Sequence, residues 1–323
     1  MKLISKFLTS IGVGIIGLIS LIAILFSLLN ERELASHSYG KPISYLKNFE
    51  ARFYDYRMKS HLSEYPKNDD LVLVKIDDQS LQRIGSYPIP RDNYVTLLDN
   101  LKKYGAKVAA FDVLFPEKVM ACGEDSPDDR VAQAISRFQS VQGNSVILAY
   151  SVQEDPGIPT DYLFDNAPFE VITSIVTTQS LCRDIDREKI ESTNWPIQPY
   201  LDAEPQLGYL NMESDTDGVY RSYKAYQAVY SQDLEDVIYL PSLGLRTFLS
   251  GTDVDTTKLN ISSDCTGRLE LGEKDLFINH RKQAKIRWIG GEEKFGQIPL
   301  WRVLEGKDYI VNDGDVFHFR FNV

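Results

Sequence analysis

The residues of this sequence whose types and spacing could do chemistry are two carboxylates and one arginine. Asp77 follows the apolar run Leu71 to Ile76, and Asp112 lies late in a second apolar run. The carboxyl ends of parallel strands line the ligand-binding edge of open α/β sheets, so both acids are expected at that edge. Arg91 follows the rigid segment Pro88-Ile89-Pro90, which is expected to deliver it between the two carboxylates.

This predicted cluster of Asp77, Arg91 and Asp112 has two interpretations that the sequence leaves open. Arg91 could form an internal ion pair that holds the turn, or it could bind an anionic ligand through its guanidinium group. Structural ion pairs are commoner than binding sites, which favours the first interpretation. Asp78, directly after Asp77, belongs to the same group of candidate residues.

The elements that must position these residues form a β-α-β unit. Val108 to Val113 is the second apolar run, and the two strands are predicted to be parallel and joined by a crossover helix. That helix is predicted to begin with Asp92 as its cap and to stop at Gly105. A second helix around residues 131–138 and a third strand at residues 146–152 continue the alternation, which predicts an α/β fold with a mainly parallel sheet. Later short strands are expected to add antiparallel pairs.

An uncharged run of 23 residues, Phe7 to Leu29, is long enough to cross a bilayer as a helix. Lys2 and Lys6 precede it, so residues 1–6 are predicted to be cytoplasmic and the chain beyond the run to be outside. Residues 42–62 are predicted to form a long juxtamembrane helix with one apolar face. The extracytoplasmic domain is assigned to residues 42–323, and the net charge of −11 argues against a nucleic-acid partner.

The three cysteines allow at most one internal disulfide. Cys122 and Cys182 are predicted to form it, because both lie in loops expected to border the same end of the sheet, and Cys265 is predicted to stay free. No metal site and no cofactor are predicted: Cys-x-x-Cys is absent, the four histidines are isolated, and the acidic turn from Glu213 lacks the twelfth-position glutamate of a calcium loop.

Common catalytic motifs are absent from the sequence. It contains no Gly-x-Ser-x-Gly elbow, no phosphate-binding Gly-Lys-Ser/Thr loop and no His-Glu-x-x-His pair. No catalytic residue is therefore assigned. The alternative to a binding domain is an outward-facing hydrolase that uses Asp77 and Asp112.

A series of motifs in order resembles a CHASE domain of the second type, a sensory extracellular domain associated with cyclases and histidine kinases. The motifs are Glu50-x-x-Phe53-Tyr54-Asp55-x-Arg57, Ile76-Asp77-Asp78-x-Ser80-Leu81, Gly85-x-x-Pro88-x-Pro90-Arg91, Ala110-Phe111-Asp112-Val113-Leu114-Phe115, Gly208-x-x-Asn211, Asp217-Gly218-Val219-x-Arg221, Pro241-Ser242-Leu243 and Phe295-x-x-Ile298 with Val303-Leu304-x-Gly306. Through these motifs Asp217 and Arg221 join the candidate binding or structural residues.

The resemblance implies the ectodomain of a bacterial transmembrane receptor in the cytoplasmic membrane, with the domain periplasmic or extracellular. It implies signal transduction from an unknown external ligand to a cytoplasmic output module, such as an adenylate or guanylate cyclase or a protein kinase, in a homodimeric receptor. Family members continue past this point into a final strand and a membrane return. The chain is therefore expected to be truncated before both.

Overall fold

The computed structural model describes most of the chain from residue 42 onward. The described residues are 14, 17–22, 42–62, 66–120, 126–154, 178–180, 190–215, 217–231, 236–252, 254, 259–261, 266–271, 274–279, 283–306 and 316–321. The chain divides into two compact units, Met1–Leu62 and Ser63–Val323. The domain bounds given above stay a prediction.

The first unit contains helix α1, Pro42–Ser60, which confirms the predicted helix beginning at Pro42. Arg57 and Lys59 lie in its last turn, where basic side chains interact favourably with the helix dipole. Phe49 and Phe53 are four residues apart and stack with their ring centroids 6.1 Å apart. Both rings and that of Tyr56 are exposed, so the apolar face of this helix is open along these residues.

The predicted membrane span, Phe7 to Leu29, falls outside the described residues except for residue 14 and residues 17–22. Within the part of the chain that the structure describes, no helix combines the length and the apolar character needed to cross a bilayer.

The second unit is a mixed α/β structure built on one large sheet. Its strands are β1 (Asn68–Ile76), β2 (Val108–Asp112), β3 (Ser145–Glu154), β5 (Ile190–Asn194), β6 (Gln206–Tyr209), β14 (Phe295–Pro299) and β15 (Val316–Phe321). The order is β14-β1-β15-β2-β3-β5, with β6 also paired to β3. All pairs are parallel except β3–β5. The prediction of a mainly parallel sheet is thus confirmed.

The two strands of the predicted β-α-β unit are parallel but are not neighbours. Strand β15 lies between them, pairing Phe319 with Val74 of β1 and with Phe111 of β2. This insertion brings the last described strand into the centre of the sheet, more than two hundred positions from β1 in sequence. Periodicity along the chain does not encode strand order, which explains why the sequence left the insertion unpredicted.

Helices cover the sheet, and their bounds follow the capping residues. They are α2 (Asp78–Ile84), α3 (Arg91–Tyr104), α4 (Pro127–Gln139), α5 (Gln198–Leu201), α6 (Leu243–Gly251) and α7 (Leu300–Leu304). Gly105 ends α3 as predicted, in the left-handed region at φ 85°. The predicted start of α3 is corrected: Pro90 is the N-cap residue, and Asp92 lies inside the first turn.

The core lies on both faces of the large sheet because β2 is buried on both sides. Ala109 and Phe111 belong to the larger cluster with the buried faces of α3 and α4. Val108 and Ala110 belong to a smaller cluster that includes Leu243 of α6. Alternate residues of a strand point to opposite faces, so the run Val108–Phe111 supplies both clusters.

The later part of the chain forms small antiparallel sheets, as expected. One sheet contains four strands: β4 (Thr178–Ser180), β10 (Leu259–Ile261), β11 (Gly267–Leu271) and β12 (Lys274–Ile278). A second sheet pairs β7 (Ser222–Lys224) with β13 (Gln283–Lys285), and a third pairs β8 (Tyr226–Ser231) with β9 (Asp236–Pro241). Within the first of these, β4–β10 is a parallel pair. Residues 286–289 are not a strand, and Ile298 lies in β14 with α7 following.

Candidate functional site

The central charged feature of the second unit is an ion pair between the partly buried Arg91 and the buried Asp128. The Arg91 Nε donates to Asp128 Oδ1 at 2.9 Å, and only 11% and 3% of the two side chains are exposed. The Arg91 Nη2 also donates to the carbonyl oxygen of Glu117 at 3.0 Å. Because Asp128 is buried and Arg91 is largely shielded from water, this pair is a strong constraint on the two segments that it joins.

Asp128 has hydrogen bonds at both carboxylate oxygens. Its Oδ1 also accepts from the Tyr200 hydroxyl at 3.0 Å, and its Oδ2 accepts from the backbone N–H of Val119 at 2.8 Å. These three donors satisfy both oxygens of the buried carboxylate. We call Arg91, Asp128, Tyr200 and the bonded backbone groups of Glu117 and Val119 the Arg91 clamp.

The local sequence explains why the two charges of the clamp meet. Arg91 is the first residue of α3, directly after Pro90, and Asp128 follows Pro127 at the start of α4. An acid in the first turn of a helix interacts favourably with the helix dipole, and a proline at the first position starts the helix without losing a hydrogen bond. The two helices pack side by side, so their first turns lie next to each other.

Two aromatic rings lie near the guanidinium group of the clamp. The Arg91 guanidinium carbon lies 5.0 Å from the centre of the Phe115 ring and 5.9 Å from that of Tyr200. Burial raises the pKa of Tyr200 well above its usual value, although the nearby Arg91 charge opposes the shift. Burial likewise raises the pKa of Tyr94 to about 12. Tyr200 is therefore protonated at neutral pH and acts as a donor to Asp128.

The predicted cluster of Asp77, Arg91 and Asp112 is corrected by these contacts. Arg91 binds Asp128, which the sequence analysis did not select. Asp77 is the N-cap residue of α2, where its Oδ1 accepts from the Ser80 backbone N–H at 2.9 Å and the Ser80 hydroxyl at 2.6 Å. Asp112 lies partly buried at the end of β2, and Asp78 is exposed in the first turn of α2.

Two further candidate residues, Asp217 and Arg221, form an ion pair that also includes Asp215. Arg221 is buried, and its Nη2 donates to Asp217 Oδ2 at 2.8 Å. Its Nη1 donates to Asp215 Oδ2 at 2.8 Å and to Asp217 Oδ1 at 2.9 Å. The Asp217 pKa is lowered to about 2, chiefly by the hydrogen bond from Arg221. Gly218 follows Asp217 in this turn and has φ 80°.

Two groups that the sequence analysis missed lie on facing elements, β3 and α6. Tyr150 is buried, its ring lies 4.5 Å from that of Trp195, and its hydroxyl has no hydrogen-bond partner among the described residues. Arg246 is also buried, and the lost solvation lowers its pKa to about 10. The sequence around Tyr150 and Arg246 looks like that of any other strand or helix position, so these two residues could not be selected as candidates from the sequence.

The described cavities and side-chain groups do not form a catalytic constellation. An open groove of about 460 Å³ between α4 and α5 is lined by Ala132, Gln133, Ser136, Arg137, Pro199, Asp202 and Ala203. Among the residues that the structure describes, no cluster of His, Cys, Asp and Glu side chains could hold a metal ion. The predicted disulfide between Cys122 and Cys182 and the free Cys265 all lie outside the described residues.

Comparison with known families identifies the domain. The CHASE2 domain family matches residues 21–320, almost the whole chain. The chain belongs to the CHASE2 domain family. The resemblance drawn from the motifs is confirmed to this extent. No solved structure matches the chain.

Curated relatives carry a different description. A ribosome-binding ATPase YchF of Haemophilus influenzae is 67% identical over 274 residues, which cover 79% of the chain and 65% of that relative. Ribosome-binding ATPases YchF of Pasteurella multocida and Haemophilus ducreyi match over 17% and 10% of the chain, at 50% and 67% identity. The chain thus spans less than two thirds of the length of each relative.

These relatives contradict the functional predictions made from the sequence. The protein similar to most of the chain is named for ribosome binding and ATP hydrolysis, not for sensing across a membrane. The predicted membrane-anchored extracytoplasmic sensor is therefore wrong on this comparison. This comparison also contradicts the predicted cyclase or kinase output, the periplasmic location, the external ligand and the homodimeric receptor. It contradicts the alternative of an outward-facing hydrolase as well.

Proposed function

We propose that this chain is a recognition domain that binds the ribosome and does not hydrolyse ATP. The observation that carries the ribosome as partner is the similarity, over 79% of the chain, to a protein named a ribosome-binding ATPase. The chain spans only 65% of that relative. Ribosome binding and ATP hydrolysis, the two activities in the name of that relative, therefore each need separate support from the residues of this chain.

ATP hydrolysis finds no support in the residues of this chain. Phosphate-binding loops combine glycine-rich backbone N–H groups with a Gly-Lys-Ser/Thr sequence, and this sequence has no such motif. The arginines of the two charged clusters already donate to carboxylates: Arg91 to Asp128, and Arg221 to Asp215 and Asp217. Recognition without turnover is therefore the function that this geometry supports best.

The charge of the chain favours the protein component of a ribosome over its RNA. A net charge of −11 repels a phosphate backbone, whereas RNA-binding faces are basic. Basic protein segments on the ribosome surface offer the opposite charge, and complementary charge speeds and orients association. The proposed contact is thus between an acidic domain and a basic protein segment.

Co-sedimentation tests this proposal directly. The purified full chain is centrifuged with ribosomes through a sucrose cushion at low and at physiological salt, and ATP turnover is measured in the same samples. The Haemophilus influenzae relative serves as the positive control. We expect the chain to pellet with ribosomes, less at higher salt because salt screens the charges, and to leave ATP intact. A chain that stays in the supernatant at both salts would refute ribosome binding, and turnover above buffer would refute the non-hydrolytic role.

A further inference from the structure

We propose that the carboxyl edge of the large sheet carries a docking surface for a basic protein segment with apolar side chains. The surface consists of the exposed side chains of Tyr87, Val119 and Met120 with the carboxylates of Asp78 and Glu117; we call it the loop-edge surface. The inference rests on the proposed function for the source of its partner, a basic segment of a ribosomal protein. The type of segment that the surface would bind is inferred from the exposed residues of the surface alone.

The two loops of the loop-edge surface are fixed by the Arg91 clamp. Arg91 ends the loop that contains Tyr87, and its guanidinium donates to the carbonyl oxygen of Glu117 in the second loop at 3.0 Å. The backbone N–H of Val119 donates to Asp128 at 2.8 Å, which holds the second loop to α4. A partner therefore meets a preformed surface, so less ordering free energy is lost on binding.

The apolar part of the loop-edge surface is unusually open. The exposed fractions are 64% for Tyr87, 43% for Val119 and 96% for Met120. Tyrosine and methionine are enriched in the cores of protein interfaces, and methionine adapts its shape to different partners. Val119 and Met120 are neighbours in the second loop, and Tyr87 lies in the loop that the Arg91 clamp joins to it. Contiguous exposed apolar side chains mark interaction surfaces more often than single ones do.

The acidic part selects the charge of the partner. Asp78 and Glu117 are exposed and follow β1 and β2 at the same edge of the sheet. Lys118 is an exposed base within the second loop, and the chain as a whole carries −11. Apolar side chains beside carboxylates fit a segment in which Lys or Arg alternates with apolar residues, since the cations then lie over the carboxylates.

The test uses a fluorescein-labelled amphipathic peptide of lysine and leucine, and a matched peptide with glutamate in place of lysine. Affinity for the full chain is measured by anisotropy. We expect the lysine peptide to bind and the glutamate peptide not to bind. Val119→Ser and Glu117→Lys should each weaken the lysine peptide about tenfold, as for central interface positions.

Two matched controls lie at the opposite, amino edge of the sheet. Val141 has the same exposed fraction as Val119, 43%, and lies in the turn before β3. Asp70 is an exposed acid near the start of β1. Val141→Ser and Asp70→Lys should leave peptide affinity unchanged. If the wild-type chain binds neither peptide, or if the control variants weaken binding as much as the test variants do, the loop-edge surface is refuted.

Ribosome co-sedimentation of the same four variants separates this inference from the proposed function. If the wild-type chain pellets with ribosomes and all four variants pellet equally, the loop-edge surface is refuted and ribosome binding stands. If the peptide follows the expected pattern but no chain pellets, the surface stands as a site for basic segments and the ribosomal partner is refuted. If Val119→Ser and Glu117→Lys weaken binding to both the lysine peptide and the ribosome while the two control variants do not, both proposals are supported.

Discussion

Arg91 and Asp128, 37 positions apart in sequence, form a largely buried ion pair with 2.9 Å between Arg91 Nε and Asp128 Oδ1. Removing two charges from water costs several kcal/mol per ion, and the cost is offset only when hydrogen bonds satisfy the remaining polar atoms. Tyr200 and Val119 supply those bonds to Asp128, and Glu117 accepts one from Arg91. The pair therefore fixes two loops and two helix starts as one unit.

Arg91→Ala should lower the free energy of unfolding of the second unit by about 3–5 kcal/mol, because it leaves the Asp128 carboxylate buried without its cation. Urea denaturation followed by circular dichroism measures this change. Tyr200→Phe removes one donor to the same carboxylate and should cost about 1–3 kcal/mol.

Arg137→Ala is the matched control for this prediction. Arg137 pairs with Asp99 on the same two helices, α3 and α4, with 3.0 Å between Nη2 and Oδ2, but 45% and 47% of the side chains are exposed. Exposed pairs contribute about 0–1 kcal/mol. If Arg91→Ala and Arg137→Ala lower the free energy of unfolding by the same amount, the Arg91–Asp128 pair has no special role in stability.

Gly208→Ala should destabilise the fold through a steric clash between β6 and α6. A Cβ at Gly208 would lie 2.5 Å from the Cα of Leu243, and backbone cannot move aside as a flexible side chain can. Overpacking of this kind costs about 1–3 kcal/mol. Gly244→Ala is the control: its Cβ would meet nothing within 4 Å, and alanine favours a helix by about 1 kcal/mol over glycine. A lower melting temperature for Gly208→Ala alone supports the prediction; no difference between the two variants refutes it.

Sequence patterns predicted the parts of the fold that depend on local spacing. The apolar positions of α3 and the left-handed Gly105 at its end follow from a 3.6-residue period and a C-cap preference. The position of β15 between β1 and β2 depends on contacts across more than two hundred residues. No local period carries that information, so strand order could not be predicted.

The candidate site was predicted in part for the same reason. Asp217 and Arg221 are four residues apart on one turn, so their pairing is a local event. Asp128 meets Arg91 only because α3 and α4 pack side by side, and its sequence context, Pro127-Asp128-Asp129, is typical of any helix start. Asp77 looked like a site residue but serves as a cap, a role that its position before α2 also fits.

Ser80→Ala should destabilise the junction of α2 and α7. The Ser80 side chain is buried, its hydroxyl donates to Asp77 Oδ1 at 2.6 Å, and its Oγ accepts from the Trp301 backbone N–H at 3.2 Å. Alanine leaves that partly buried N–H without its acceptor, and the lost hydrogen bond lowers the free energy of unfolding by about 0.5–1.5 kcal/mol. Ser136→Ala on the exposed face of α4 removes only a bond to the Ala132 carbonyl and should be near neutral. If Ser80→Ala and Ser136→Ala unfold at the same urea concentration, this role of Ser80 is contradicted.

Asp217→Asn should remove a pH-dependent part of the stability. The hydrogen bond from Arg221 is the main cause that lowers the Asp217 pKa from 3.8 to about 2, and the Val219 backbone N–H adds to it. A folded-state pKa below the unfolded value contributes stability that is present above the unfolded pKa and is lost as the pH falls through the folded pKa. The wild-type chain should therefore be more stable than Asp217→Asn at pH 7, and the gap between their urea midpoints should narrow as the pH falls from about 4 towards about 2. Carbon-detected NMR titration of the Asp217 carboxyl in the wild-type chain measures the same shift independently. A carboxyl that titrates near 3.8, or a gap that stays constant down to pH about 2, would show that Arg221 does not hold this acid in its charged form.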